Sequence, residues 1–294
     1  MTAATTQPTT DTLEVPGAVL TYDVRTGPAG HAPALVMIGS PMGAAGFGTL
    51  APYFADRTVV TYDPRGVERS RRTDGAATST PEEHADDLSR LIAALDAGPV
   101  DLFASSGGAV NALALVARHP EQVRTLVAHE PPAAALVPDA EFALAACQDI
   151  SATYQRSGMG PAMAKFIAIV SHKGPIGPDY AGQPAPDPAM FGLPTDDDGS
   201  RDDVMLGQNL VSCTHYEPDI EALRSASTRV VLAAGSESDG ELAQRGAYAV
   251  AERLGTTPVT FPSGHAGFLG GEYGQTGEPE AFAVRLREVL DTGR

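Results

Sequence analysis

The chain has 294 residues, of which 43% are hydrophobic and 19% charged, a globular composition long enough to bury one large core. Its 37 acidic and 20 basic side chains give a formal net charge of −17. This charge argues against nucleic acid or an anionic membrane surface as a partner, because both require a positive face. The sequence shows no signal peptide and no apolar run of the ~18 residues that a membrane helix needs. We therefore expect a cytoplasmic protein that binds a small-molecule substrate, with a homodimer left open.

The two cysteines, Cys147 and Cys213, are too few for a disulfide framework or a zinc cluster. We predict that both are buried thiols. A single disulfide between them stays open as the alternative.

Residues 1–12 are rich in threonine and lack hydrophobic periodicity, so we expect a disordered arm there. From Leu13 onwards, short apolar runs alternate with helical patterns, which predicts an α/β fold with a mostly parallel sheet covered on both faces. The predicted strands are Val19–Val24, Ala34–Ile38, Thr58–Tyr62, Val100–Ala104, Arg124–His129, Thr228–Ala233 and Pro258–Phe261. The predicted core helices are Gly43–Ala55, Pro81–Ala97, Gly107–Arg118, Glu237–Leu254 and Pro279–Leu290.

This alternation stops over residues 131–218. They contain two helical patterns, Ala140–Ser157 and Pro161–Ser171, and a long loop rich in glycine and proline. Such a loop is too long for an ordinary connection in a compact domain. We therefore predict a mainly helical cap that is inserted into a core formed by residues 13–130 and 219–294.

The strongest local pattern is the stretch ASSGG at residues 104–108, which ends an apolar strand and opens a helix. A sharp strand-to-helix turn with small residues two positions either side lifts its central serine above the sheet edge in a strained conformation. The register with Ala104 and Gly108 selects Ser106 over the adjacent Ser105 as a nucleophile. The helix that follows would present its N–H groups to a carbonyl attacked there.

A serine hydroxyl is a weak nucleophile until a base takes its proton. Among the seven histidines, His265 lies just after the last predicted strand and before the final helix. Gly264 and Gly267 give this loop the low bulk that a protruding imidazole needs. We predict that Ser106 and His265 meet at the edge of the sheet.

Together these features resemble the α/β-hydrolase superfamily, in its form with a cap after the sixth strand. They follow the family's order along the chain: the loop Gly39-Ser40-Pro41, the turn Tyr62-Asp63-Pro64-Arg65-Gly66, the elbow at Ser106, the insert, and Gly264-His265. The resemblance implies a doubly wound, mostly parallel sheet. It also implies acyl transfer in two steps, with no metal or organic cofactor.

The resemblance further assigns an oxyanion hole, the pair of N–H groups that stabilises the negatively charged oxygen of the intermediate. One expected donor is the backbone N–H of Gly107. The other is the backbone N–H of Ser40, with that of Met42 as the alternative. The family usually has His-Gly-x-Pro at this loop, whereas residues 38–41 are IGSP here.

Two carboxylates compete for the role of orienting His265. The usual family position is a loop after the seventh strand, where Ser238 stands at the expected place and Asp239 follows one residue later. A second position, used in the haloalkane dehalogenases of the superfamily, lies directly after strand six, and Glu130 stands there. We favour Glu130 and keep Asp239 as the alternative.

A serine at the elbow, where related dehalogenases have an aspartate, indicates acyl chemistry. We expect a small to medium, neutral ester or lactone as substrate, because the insert offers few cations to hold a polyanion. Two alternatives stay open. One is a cofactor-free haloperoxidase or perhydrolase-like activity with the same three residues, and the other is a hydrolase-fold protein that binds a small molecule without catalysis.

Overall fold

The computed structural model describes residues 7–28 and 32–292, and the strands of this part of the chain form one nine-stranded sheet. The strands are β1 Thr9–Val15, β2 Ala18–Arg25, β3 Leu35–Ile38, β4 Val59–Asp63, β5 Arg71–Arg72, β6 Val100–Ser105, β7 Val123–His129, β8 Arg229–Gly235 and β9 Val259–Phe261. Their order is β1-β2-β4-β3-β6-β7-β8-β9, with β5 paired to β2. β2 is antiparallel to β1, β4 and β5, and every other pair is parallel. The predicted mostly parallel sheet is therefore confirmed.

Helices cover both faces of this sheet. They are α1 Pro81–Leu95, α2 Gly107–Arg118, α3 Ala140–Ser157, α4 Met159–Val170, α5 Leu210–Thr214, α6 Ile220–Ser225, α7 Leu242–Leu254 and α8 Pro279–Asp291. Within the described residues, each helix is too short or too polar to cross a membrane.

The sheet separates two hydrophobic cores, because alternate residues of a strand point to opposite faces. Val36 and Ile38 of β3 join the first core together with residues of α1, α2, α3 and α7. Leu35 and Met37 join the second core with α8 and the connection between β3 and β4. The parallel strands β3, β6 and β7 and the last four residues of β8 are thus buried on both faces. The carboxyl ends of these strands meet at one edge, where an open α/β sheet binds ligands.

Two segments differ from the sequence predictions. Residues 9–12, expected in a disordered arm, belong to β1, while residues 1–6 lie outside the described part of the chain. β1 lacks hydrophobic alternation because it is an edge strand whose first four residues are exposed. The helix expected over residues 43–55 consists instead of two 3-10 turns, Ala44–Phe47 and Ala51–Phe54. Glycine and proline within this segment disfavour a continuous α-helix.

The two cysteines are free and buried. The prediction of buried thiols is confirmed, and the alternative of a disulfide is wrong. Burial raises the pKa of Cys147 to about 11 and that of Cys213 to about 12, so both remain protonated at neutral pH.

One charged contact ties the predicted insert, residues 131–218, to helix α7. Arg245 of α7 donates hydrogen bonds to the Asp139 carboxylate and, at 2.9 Å, to the carbonyl oxygen of Gly174. The other Asp139 oxygen accepts the backbone N–H of Ile176 at 2.6 Å. Asp139 precedes α3, and Gly174 and Ile176 follow α4. The contact therefore holds both ends of the α3–α4 pair against the core.

We expect the substitution Asp139→Ala to lower the free energy of unfolding by about 1.5–3 kcal/mol, the usual loss for charge-assisted hydrogen bonds shielded from water. Urea denaturation followed by circular dichroism at pH 7 measures this. The matched control is Asp86→Ala, which removes the ion pair with Arg118 between side chains that are 48% and 47% exposed. The control should lose less than about 1 kcal/mol. Equal losses in the two variants would contradict the proposed tether.

Candidate active site

Ser106 occupies the turn between β6 and α2. Its backbone torsions, φ 57° and ψ −129°, are rare for a residue with a side chain. Its N–H donates to the carbonyl oxygen of His129 at 2.9 Å, and its own carbonyl accepts the N–H of Ala109 at 2.9 Å. The Ser106 side chain is half-buried, whereas Ser105 is buried with its hydroxyl 3.2 Å from Nδ1 of His129. Of the two serines, Ser106 is the accessible one.

Two glycines allow the loop after β3 to approach the start of α2. A Cβ atom at Gly107 would lie 2.6 Å from the carbonyl oxygen of Ser40, and one at Gly108 would lie 2.8 Å from Cα of Gly39. Because α2 begins at Gly107, its first N–H groups have no acceptor within the helix and carry the positive end of the helix dipole. The structure therefore brings Ser40 and Gly107, the two expected oxyanion donors, into contact beside Ser106.

Asp63 holds the loop after β3, which contains Ser40 and Met42, through hydrogen bonds. Asp63, at the end of β4, accepts the N–H of Ala44 at 2.8 Å and Nε of Arg69 at 2.6 Å. Met42, the alternative donor, folds its side chain over Gly46, where a Cβ would lie 2.2 Å from the Met42 sulfur. A larger residue at position 46 would require the Met42 side chain to move.

Glu130 and His265 form a hydrogen bond, with 2.6 Å between Oε2 and Nδ1. Glu130 is 0% exposed and the His265 side chain is 41% exposed. The other oxygen of Glu130 accepts the N–H of Gly235 at 2.8 Å, so both carboxylate oxygens are held. When Glu130 is ionised, its bond to Nδ1 requires a proton there. Nε2 of His265 is then left with the free lone pair of a base.

Opposing effects act on the pKa of Glu130. Burial raises it, whereas the hydrogen bonds from His265 and from the N–H of Gly235 stabilise the charged form. The stabilising contacts prevail, and the pKa falls from 4.5 to about 2. Glu130 is therefore ionised throughout the neutral range.

His129 lies between the Ser106 turn and His265. Its carbonyl holds Ser106, its neighbour Glu130 holds His265, and its ring lies 6.0 Å from the His265 ring at an interplanar angle of 27°. The ring is fully buried among phenylalanines, and burial lowers its pKa to about 4. Its aromatic neighbours are Phe103, Phe261, Phe268 and Phe282. A neutral, packed His129 thus supports a rigid end to β7.

Asp239, the alternative acid, is exposed in the turn after β8. Of the two candidate carboxylates, Glu130 is the one within hydrogen-bond distance of the His265 ring. Gly235, the last residue of β8, permits this arrangement. A Cβ there would lie 2.7 Å from the carbonyl oxygen of Ser263 and 2.8 Å from Cα of Gly264, so only glycine allows the His265 loop to approach so closely.

Two residues of the insert that the sequence analysis did not assign to the site also reach it. The side-chain amide of Asn209 donates to the hydroxyl of Ser40 at 2.8 Å. The sulfur of Cys213 would lie 3.2 Å from a Cβ at Gly107. No motif marks either residue, since their position depends on how the insert packs. Among the described residues, no group of three or more His, Cys, Asp or Glu side chains could hold a metal ion.

Comparison with known proteins shows the family to which the chain belongs. The model of the alpha/beta hydrolase fold family matches residues 34–157. YraK, an uncharacterized hydrolase of Bacillus subtilis (strain 168), is 30% identical over 288 residues, which are 95% of each chain. The chain therefore belongs to the α/β-hydrolase family, which confirms the family and the hydrolase class predicted from its motifs.

Solved structures share the same fold. The enol-lactonase from Burkholderia xenovorans LB400 has a TM-score of 0.65 and 18% identity, covering 95% of this chain and 99% of its own. A thermophilic esterase from Thermogutta terrifontis has a TM-score of 0.65 and 20% identity, with 97% and 98% covered. Identities this low establish the common fold alone.

The lowered pKa of Glu130 makes stability depend on pH. Its carboxylate adds stability above the unfolded-state pKa, and this contribution is lost as the pH falls from about 4.5 towards about 2. We therefore expect the free energy of unfolding of Glu130→Gln to fall less steeply than that of the wild type between pH 6 and 3. Urea denaturation at several pH values measures the difference, in which the other carboxyl groups cancel. Identical slopes would show that Glu130 is not held in its charged form.

Proposed function

We propose that the protein is a serine hydrolase that cleaves neutral carboxylic esters or lactones through an acyl-enzyme. The observation that carries this proposal is the hydrogen bond between buried Glu130 and His265, next to the strained turn of Ser106. A held carboxylate, an imidazole and an accessible serine hydroxyl are the groups that acyl transfer requires. Membership of the α/β-hydrolase family supports the same chemistry.

In the first step, the Ser106 oxygen attacks the substrate carbonyl carbon while Nε2 of His265 takes the hydroxyl proton. Glu130 keeps the ring in the required tautomer and stabilises the imidazolium that forms. The backbone N–H groups of Gly107 and Ser40 stabilise the developing oxyanion, with Met42 as the alternative second donor. Each such donor typically contributes about 3–4 kcal/mol to lowering the barrier.

In the second step, the proton on His265 passes to the leaving oxygen as the bond between that oxygen and the carbonyl carbon breaks. The acyl group then remains on Ser106. His265 then takes a proton from water, and the water oxygen attacks the acyl carbon. Collapse of this second intermediate releases the acid and returns the proton to Ser106. A lactone follows the same path, except that the leaving oxygen stays attached to the acyl chain.

The charges of the insert favour a neutral substrate. Lys165 pairs with Asp149 at 2.5 Å, and Arg201 pairs with Asp197 at 2.8 Å. These bases are thereby occupied, and the net charge of −17 repels polyanions. Esters and lactones are also the compound classes in the names of the esterase and enol-lactonase that share this fold.

We expect Ser106→Ala to lower turnover of p-nitrophenyl acetate by roughly 10⁴-fold or more, because it removes the oxygen that is proposed to form the acyl-enzyme. The matched control is Ser105→Ala, which removes the adjacent buried hydroxyl and should retain most of the activity. A fluorophosphonate probe should label the wild type and the control, but not Ser106→Ala. If the folded wild type is neither labelled nor active, a binding protein without catalysis is the better assignment.

Replacing each candidate acid by its amide shows which of the two orients His265. Glu130→Gln should lower kcat by roughly 10³- to 10⁴-fold, as expected when the carboxylate that orients a catalytic imidazole is lost. Asp239→Asn changes an exposed side chain and should leave kcat near the wild-type value. Steady-state kinetics on p-nitrophenyl acetate at pH 7 compares them. The reverse ranking would transfer the role to Asp239.

A further inference from the structure

A chain of buried polar side chains runs from the core to the loop that carries Ser40. Asn209 donates to the Ser40 hydroxyl at 2.8 Å and accepts from the Ser79 hydroxyl at 3.3 Å. The Ser79 oxygen in turn lies 3.1 Å from Nε2 of His84. All four residues are at most 4% exposed. Bonds in such a dry environment are strong, and an unpaired member is costly.

In this row of four side chains, each residue donates a hydrogen bond to the next, from His84 through Ser79 and Asn209 to Ser40. Burial, with the positive charge of Arg65, lowers the pKa of His84 to about 3, so its ring is neutral with a single N–H. Because Ser79 gives its only hydroxyl hydrogen to Asn209, it must accept from Nε2 of His84. In the structure the amide of Asn209 lies with its oxygen towards Ser79 and its N–H towards Ser40.

Asn209 belongs to a short π-helical turn, Met205–Asn209, that leads directly into α5. Cys213 lies one turn further along and reaches Gly107, beside which the Ser40 carbonyl also lies. Both proposed oxyanion donors therefore contact the same short stretch of the insert. Wide turns of this kind occur often at functional sites.

We propose that Asn209 is a positioning residue for the oxyanion hole, whose side-chain amide holds the Ser40 hydroxyl and thereby fixes the Ser40 peptide beside Gly107. The proposal rests on the serine-hydrolase function above. A donor stabilises an oxyanion only when it is held in place before the charge develops. Ser40 lies in a loop between β3 and the first 3-10 turn, so an anchor on its side chain restrains the peptide that must donate. The insert thereby contributes to turnover without contacting the reacting atoms.

The test is Asn209→Leu, which removes the amide at nearly constant volume. We expect kcat on p-nitrophenyl acetate to fall about 10-fold or more, less than the loss of a whole donor would cost, while KM stays within about 3-fold. The Ser106 oxygen adds to the carbonyl carbon of a trifluoromethyl ketone while His265 takes the serine proton. The adduct carries an oxyanion, so the inhibition constant of the ketone reports on how well the oxyanion is stabilised. That constant should weaken by a similar factor. A purely structural role would lower the melting temperature and leave both quantities unchanged in the folded enzyme.

A double-mutant cycle shows whether Asn209 acts through Ser40. Ser40→Ala keeps the backbone N–H, removes the anchored hydroxyl, and should lower kcat by a factor similar to that of Asn209→Leu. The double variant should lose little more than either single variant. Multiplication of the two losses would overturn the proposal. If Asn209→Leu does not fold, Ser40→Ala decides, and unchanged kcat and inhibition constant would likewise overturn it.

The matched control is Gln208→Met, on the same turn. Gln208 also carries an amide, but its buried Oε1 has no partner among the described residues. We expect the kcat of Gln208→Met to equal that of the wild type. A loss as large as that of Asn209→Leu would mean that any change in this turn is harmful, and it would overturn the specific role of Asn209. Fluorophosphonate labelling keeps the proposed function separate. If the wild type is labelled and active and Asn209→Leu is unaffected, only the positioning role of Asn209 is refuted. If the wild type is neither labelled nor active, the positioning role and the serine-hydrolase function are both refuted.

Discussion

The carboxylate of Glu130 is the group on which the geometry of this site depends. It is fully buried at the carboxyl end of β7, and its charge survives burial because one oxygen is bonded to His265 and the other to the N–H of Gly235. An ionised group in such a place is costly unless its oxygens are satisfied. Three chain segments must therefore be correctly placed together: the end of β7, the end of β8 and the loop after β9.

Small residues allow these segments to meet. Gly235 lets the His265 loop approach β8, and Gly107 and Gly108 let the loop after β3 approach the first turn of α2. A methyl group at any of these three positions would collide with backbone atoms. The strained torsions of Ser106 and the positive φ of Glu130, 48°, occur at the two strand ends that carry the proposed chemistry. This strain is maintained by the packed sheet on either side.

The insert serves two purposes in the proposed mechanism. Its acidic side chains outnumber its basic ones, and two of the basic ones, Lys165 and Arg201, are paired with Asp149 and Asp197, which disfavours acidic substrates. Its π-helical turn also contacts the loop of Ser40 and the start of α2. Substrate selection and oxyanion stabilisation would then depend on the same segment, although neither Ser106 nor His265 belongs to it.

The sequence by itself determined the family, the mostly parallel sheet and the identity of Ser106 and His265 as candidates, because strand periodicity and the ASSGG turn are local patterns. It left two acids open, since Glu130 and Asp239 both follow strands and only packing decides which lies against the His265 ring. It missed β1, an edge strand whose exposed faces need no apolar alternation. It also missed Asn209, whose bond to Ser40 joins residues 169 positions apart. Such contacts carry no local signature, because they arise only when the insert folds back onto the strand ends.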